Sequence, residues 1–345
     1  MRKNNLIFLA ILAMLILINS IWGEERFRTV QLTEKDSPHI TDTLDENEVY
    51  LREIRGFDSD KNGFLYFLDR HYKTLMKVDM KTLTLKSNIS RSGQGPFEFI
   101  MPEALRVKNG KIYLLDMGFP GMRIFDLDGK HLKEIRFSNN LRNYQFYVFV
   151  DVDNIEVSSK EEFYIPNFDP KTNTAITVLD KKGKMNRNIL PVLHNLKNDL
   201  QNWARDLRFV FKLDSNDNLI VLYTKWGIVK KFSPQGKLLW EQNLFQFIPK
   251  SERNPKDKFQ ADMNTNGVIA RLNFTVDFGN FDILDNNRIA INAYKSLILL
   301  NSNDGKIILK INKFEKALGF SKRFLVENKK AWTPYVIFDL SQIIK

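Results

Sequence analysis

The sequence predicts an all-β fold built as a six-bladed β-propeller. Three observations carry the prediction. A block of sequence repeats at a fixed offset, a glycine-centred turn recurs at the same place in each repeat, and helical periodicity is nearly absent between the turns.

The first repeat is the clearest. Leu65-Tyr66-Phe67-Leu68-Asp69 aligns with Ile112-Tyr113-Leu114-Leu115-Asp116 at an offset of 47 residues, and the same offset sets Lys77-Val78-Asp79 on Ile124-Phe125-Asp126. One register held over this stretch marks one structural unit used twice. The unit ends in an apolar strand, a polar residue and a turn with glycine. The examples are Asp126-Leu127-Asp128-Gly129-Lys130, Asp180-Lys181-Lys182-Gly183-Lys184, Ser233-Pro234-Gln235-Gly236-Lys237 and Asn301-Ser302-Asn303-Asp304-Gly305-Lys306. Glycine supplies the positive φ that a tight hairpin needs.

Strands flank these turns. Before them lie runs rich in β-branched and aromatic residues, at Ile112–Leu115, Phe163–Ile165, Leu219–Tyr223 and Arg288–Asn292. After them come His131–Phe137, Met185–Leu190, Leu238–Leu244 and Ile307–Ile311. Each unit is therefore a four-stranded antiparallel meander. Units of this length close into a ring rather than stack as a solenoid, because a lone meander leaves a face unburied. Five full units fall near 51–90, 101–137, 149–190, 208–244 and 274–311. Val336-Ile337-Phe338-Asp339-Leu340 repeats the Ile124-Phe125-Asp126-Leu127 pattern in a sixth unit that lacks its outer strand, and the strand-like Phe27–Leu32 is expected to supply it. Strands from both termini would then close the ring, giving one propeller domain over 24–345.

The N-terminus reads as an export signal. Arg2 and Lys3 precede the apolar run Leu6–Ile18, and cleavage is expected after Gly23, the alternative being an uncleaved signal anchor. The expected location is exported, either periplasmic or secreted. Removing residues 1–23 drops two basic groups and no acidic one, so the formal charge falls from +11 to about +9. There is no cysteine, which excludes disulfide frameworks, thiol nucleophiles, thiolate metal sites and a lipid-anchored N-terminal cysteine.

The run Ser92-Gly93-Gln94-Gly95-Pro96-Phe97-Glu98-Phe99, with Ile112–Asp116 and Phe125–Lys130 after it, resembles a signature of bacterial exported six-bladed β-propeller proteins related to NHL-repeat propellers. In that family a Gly-x-Gly-Pro-Gly-Glu-Phe run joins one blade to the next. Here Phe97 stands where the third glycine is usual. The resemblance implies fold and export, and it carries no catalytic residues.

Catalytic patterns are not found. The glycine-rich stretch 92–96 lacks the Lys-Ser/Thr of a phosphate loop and precedes no helix. The four histidines, His39, His71, His131 and His194, form no close pair. Asp69, Asp116 and Asp285 could face a channel metal, but they recur from blade to blade, which fits strand and turn caps better. Glu24-Glu25 and Glu161-Glu162 are adjacent, so on a strand they point to opposite faces and are expected to be solvated. No catalytic residue, metal site or cofactor is assigned.

Positive charge gathers on the blade-to-blade crossovers. The segments 91–100, 138–148, 191–207, 245–273 and 312–323 together carry +6 of the roughly +9. The longest, 245–273, contains the polar run Pro249–Lys258, and Leu193–Leu207 has helix-like spacing around Trp203. The function expected is therefore a binding or scaffold module that engages its partner through this basic face. The candidate contacts are Arg91, Gln94, Arg142, Trp203, Arg205, Lys250, Arg253, Lys256 and Lys258. The partner expected is an acidic protein, a glycan or an anionic envelope component, not nucleic acid, with membrane contact only through an uncleaved signal. The alternative is a propeller enzyme of lyase, lactonase or esterase type acting at the central channel.

Overall fold

The structure, a computed structural model, describes residues 28–31, 51–89, 91–92, 98–119, 121–137, 155–169, 171–193, 208–248, 260–263, 269–273, 278–284, 287–293, 296–312, 325–327, 330–332 and 337–339. After a short N-terminal strand β1 (Arg28–Gln31), the first blade is β2 (Ile54–Ser59), β3 (Phe64–Asp69), β4 (Thr74–Asp79) and β5 (Leu85–Asn88). Two short parallel strands, β6 (Arg91–Ser92) and β7 (Glu98–Phe99), follow it. The second blade is β8 (Pro102–Lys108), β9 (Lys111–Asp116), β10 (Gly121–Asp126) and β11 (His131–Arg136). The third is β12 (Glu156–Val157), β13 (Phe163–Asp169), β14 (Thr174–Leu179) and β15 (Met185–Pro191). The fourth is β16 (Phe209–Leu213), β17 (Leu219–Tyr223), β18 (Ile228–Phe232) and β19 (Leu238–Asn243). A 3-10 turn, Leu244–Phe247, and a hairpin of β20 (Gln260–Met263) and β21 (Ile269–Asn273) lead to the fifth, β22 (Phe278–Leu284), β23 (Arg288–Ala293), β24 (Ser296–Asn301) and β25 (Ile307–Asn312).

The repeat read from sequence is the repeat of the fold. Strands β3 and β9, and β4 and β10, occupy ranges that differ by the 47-residue offset. The turn glycines at 129, 183, 236 and 305 all have positive φ. The polar residue before the turn holds it as an acceptor: Asp126 Oδ1 accepts from the Asp128 and Lys130 amides, and Asp180 Oδ1 from those of Lys182 and Lys184.

The core lies between blades rather than within them. Along β9, Ile112 and Leu114 pack toward the first blade with Tyr66, Leu68 and Leu75. Tyr113 and Leu115 pack toward the third with Phe163, Ile165 and Leu179. Along β17, Leu219, Val221 and Tyr223 meet the third blade, and Ile220 and Leu222 meet the fifth. A strand sandwiched in this way must be apolar on both faces, which is why these strands read as near-continuous hydrophobic runs. Burying one such side chain stabilises by about 1.5–3 kcal/mol, so the ring is held by its blade-to-blade layers.

Two expectations are corrected. Among the described residues there are five four-stranded blades, not six. Strands β26 (Leu325–Glu327), β27 (Lys330–Trp332) and β28 (Ile337–Asp339) form a three-stranded antiparallel sheet, with β26 beside β22. The N-terminal strand does not complete that sheet. It pairs in parallel with β25, Arg28 opposite Leu309 and Gln31 opposite Asn312, as a fifth strand outside the fifth blade. The alternation in Phe27–Leu32 marks a strand but does not choose an edge, because every outer strand of a propeller offers one. The hairpin β20–β21 was also not foreseen, since its segment was read as a polar loop. The helix expected over 193–207 falls, from 194 onward, outside the described residues.

Candidate functional site

Each blade begins with its inner strand, and successive inner strands stand side by side in the order β2, β8, β12, β16, β22 and β26. Five carry one charged side chain at the same place, two residues before Asp60, Lys108, Ser158, Asp214 and Leu284. These are Asp58, Arg106, Glu156, Lys212 and Asp282, and around the channel their signs alternate.

The alternation is a bonded arrangement. Arg106 Nη1 donates to Asp58 Oδ2 at 3.0 Å, and the Val107 amide donates to the same oxygen at 2.7 Å. Asp58 Oδ1 accepts from the Ser59 amide. On the other side, Arg106 Nε lies 3.2 Å from Glu156 Oε2, but neither atom has a hydrogen-bonding partner. Lys212 Nζ donates to Asp282 Oδ1 at 2.6 Å, and the Val326 amide donates to Asp282 Oδ2 at 2.7 Å. The last contact ties the three-stranded sheet to the fifth blade.

Burial sets the protonation of these groups. Glu156 is 1% exposed, and burial pushes its carboxyl above the usual range against the pull of Arg106, Lys108 and Lys212. Burial opposes the charge on Arg106 too, but Asp58 and Glu156 outweigh it and hold the guanidinium pKa above its ordinary value. Lys108 moves the other way, its ammonium held below the ordinary range chiefly by burial.

A cavity of about 410 Å³ opens over this ring, lined by Asp58, Arg106, Lys108, Lys212 and Asp282 and by the hairpins that follow the inner strands. In an antiparallel meander those hairpins lie at the end opposite the blade-to-blade crossovers. The hairpins themselves explain what sits at the rim. Asp60 Oδ1 accepts from the Asn62 and Phe64 amides, Ser158 Oγ from those of Lys160 and Glu162, and Asp214 Oδ1 from those of Asn216 and Asn218. The second blade turns differently. Asn109 and Gly110 have φ of 52° and 70°, with Lys108 opposite Lys111, which is the two-residue turn that Asn-Gly favours. Such a turn needs no side-chain acceptor, so the position given elsewhere to Asp or Ser is left to Lys108.

The aspartates weighed from sequence sit at the other ends of their strands. Asp69 accepts from the amides of Arg52, Glu53 and Tyr72, and Asp116 from those of Ile100, Met101 and Gly118. They hold the incoming crossover, as strand and turn caps do. Asp285 lies outside the described residues. Glu161 and Glu162 are not simply solvated: Lys111 pairs with the first at 2.6 Å and Arg187 with the second at 2.7 Å, which holds both carboxyls below their usual range. Of the nine basic-face candidates, Arg91 lies on β6, with its side chain undescribed. Gln94, Arg142, Trp203, Arg205, Lys250, Arg253, Lys256 and Lys258 fall outside the described residues. Sequence reasoning missed the channel charges. The signal was there: a charged residue in each of five inner strands, in a fixed register to the turn that follows.

Among the described residues, no three His, Asp or Glu side chains are grouped to hold a metal ion, and no helix is long and apolar enough to cross a membrane. What the ring offers chemically is a polar, partly desolvated pocket with fixed charges.

No curated protein matches the sequence. Among solved structures, a DUF4221 family member from Bacteroides vulgatus is 9% identical, with 84% of this chain and 92% of that chain covered at a TM-score of 0.50. A protein of unknown function from Bacteroides thetaiotaomicron is 10% identical, with 84% and 70% covered at 0.51. A virginiamycin B lyase from Staphylococcus aureus is 12% identical, with 82% and 78% covered at 0.46. At these identities the first two likenesses speak to the propeller fold alone. The profile of one family, described as a domain of unknown function, DUF4221, matches residues 32–229, more than half of the sequence, and the chain belongs to that family.

Proposed function

We propose that the protein is an exported binding propeller whose site is the cavity at the hairpin end of its central channel. One observation carries the reading: four inner strands, β2, β8, β16 and β22, converge charged side chains on a cavity of about 410 Å³, large enough for a small ligand. Charged groups brought out of water are costly unless bonded. A ring of them in the same register on five strands is a costly way to fill a channel that apolar side chains would fill as well. Export is supported by the N-terminal pattern alone, and N-terminal sequencing of the mature protein should begin at Glu24.

The basic crossover face is set aside as the primary site, because its candidate residues give no geometry to argue from. An enzymatic reading of the channel needs a nucleophile or general base free to act. Among the described residues, both oxygens of each lining carboxylate, Asp58, Asp60, Asp214 and Asp282, are engaged.

Ser215→Trp tests the cavity. Ser215 is exposed on the fourth hairpin and lines the opening, so a bulky side chain there narrows the site without touching the core. Thermal-shift screening of a panel of polar metabolites should find compounds that raise the Tm of the wild type and not of Ser215→Trp. Compounds that stabilise both proteins equally would place binding elsewhere.

A further inference from the structure

The lining acids and the lining cations differ in what they have left to give. Asp58 holds the Ser59 and Val107 amides and Arg106. Asp60 holds two turn amides and, at 3.4 Å, the Tyr66 hydroxyl. Asp214 holds the Asn218 side chain, two turn amides and Lys231. Asp282 holds Lys212 and the Val326 amide. The cations are less committed. Lys212 Nζ has one acceptor for its three N–H bonds. Arg106 uses Nη1 on Asp58, while its Nη2 has no acceptor among the described residues. Lys108 Nζ makes no hydrogen bond or ion pair among the described residues, and the Asn109-Gly110 turn has left it none to make.

Arg106 and Lys108 are two apart on one strand, so they share a face. Lys212 reaches the same cavity from β16. Among the charged groups of the lining, the unspent hydrogen-bonding capacity is thus cationic, although their formal charges balance.

We infer that the cavity takes a small oxyanion, the carboxylate or phosphate group of a soluble ligand, held by Lys108 together with the unspent N–H groups of Arg106 and Lys212. This rests on reading the cavity as the binding site. A charge-assisted hydrogen bond from a desolvated ammonium is stronger than a neutral one. Burial holds the Lys108 ammonium below its ordinary range, and an anion beside it favours the charged form. Arginine adds a planar donor set that matches both carboxylate and phosphate.

The test is isothermal titration of the full chain with inorganic phosphate, succinate and a neutral control, xylose. It uses wild type, Lys108→Gln, Lys108→Arg and Ser215→Trp, each checked for fold by far-UV circular dichroism. At least one of the two anions should bind the wild type, lose at least tenfold in affinity in Lys108→Gln, recover in Lys108→Arg and fail in Ser215→Trp. Tighter phosphate than succinate points to a phosphate ester, and the reverse to a carboxylic acid. Binding of xylose that Ser215→Trp blocks and Lys108→Gln leaves intact would overturn the oxyanion while sparing the site. Anion binding that Ser215→Trp leaves unchanged would overturn both.

Discussion

Replacing Asp58 by alanine removes three hydrogen bonds from one place in the channel wall, and its cost can be worked from the geometry. The Val107 amide, on a residue that is 7% exposed, loses its 2.7 Å acceptor. A buried donor left unpaired costs about 1–3 kcal/mol. Arg106 loses its 3.0 Å partner, and stripping one partner from a buried ion pair costs about 3–5 kcal/mol. That second figure is an upper bound here, since the two side chains retain 20% and 12% exposure and Glu156 still stands beside the guanidinium. The combined loss expected is about 3 kcal/mol. Asp58→Asn keeps one carbonyl oxygen for the Val107 amide and should lose about half as much. Urea unfolding followed by tryptophan fluorescence reads both as a fall in midpoint at unchanged slope. Asp128→Ala is the control. It removes a surface pair with Lys77 in which Asp128 is 89% exposed, and it should leave the midpoint where it was. If Asp58→Ala shifts the midpoint no more than Asp128→Ala, the channel ring is not a bonded structure and the reasoning fails.

Glu156 should make the protein less stable as pH rises. Its folded pKa is raised by burial, so the stability carried by the neutral carboxyl is fully present below the ordinary value of 4.5 and is lost as pH rises through the folded value. Glu156→Gln should remove that fall in a Tm-against-pH profile; an unchanged profile would contradict the assignment. Glu162 runs the other way. Arg187 lowers its pKa, so its contribution is present above 4.5 and disappears as pH falls through the folded value, and Arg187→Met should flatten the acid limb of the same profile. Gly56→Ala should destabilise by about 1–3 kcal/mol, because the added Cβ on β2 would sit 2.3 Å from Leu105 Cβ on β8. A midpoint within error of wild type would show that those strands are free to spread.

The blades were legible because their signals are local. Continuous runs of apolar, β-branched and aromatic residues and turn residues such as Asp126 with Gly129 or Asp180 with Gly183 fix strands and hairpins without reference to the rest of the chain. Blade count and closure were not, because they depend on which edge meets which strand, and β1 meets β25 rather than the C-terminal sheet. Asp69 and Asp116 were rightly read as caps, since recurrence from blade to blade is a structural signature. The channel ring recurs as well, but as position and not as residue type: Asp58, Arg106, Glu156, Lys212 and Asp282 share a register and alternate in sign. A search for repeated letters passes over it. Lys108 stands out only once the Asn109-Gly110 turn is seen to need no acceptor at that position.

The most direct measurement is a crystal of the wild-type protein, grown free of phosphate and sulfate, soaked in selenate and examined at the selenium edge. The account predicts an anomalous peak in the channel cavity, in contact with Lys108 and Arg106, that is absent from crystals of Lys108→Gln. Selenate bound elsewhere on the molecule with none in the channel would contradict it.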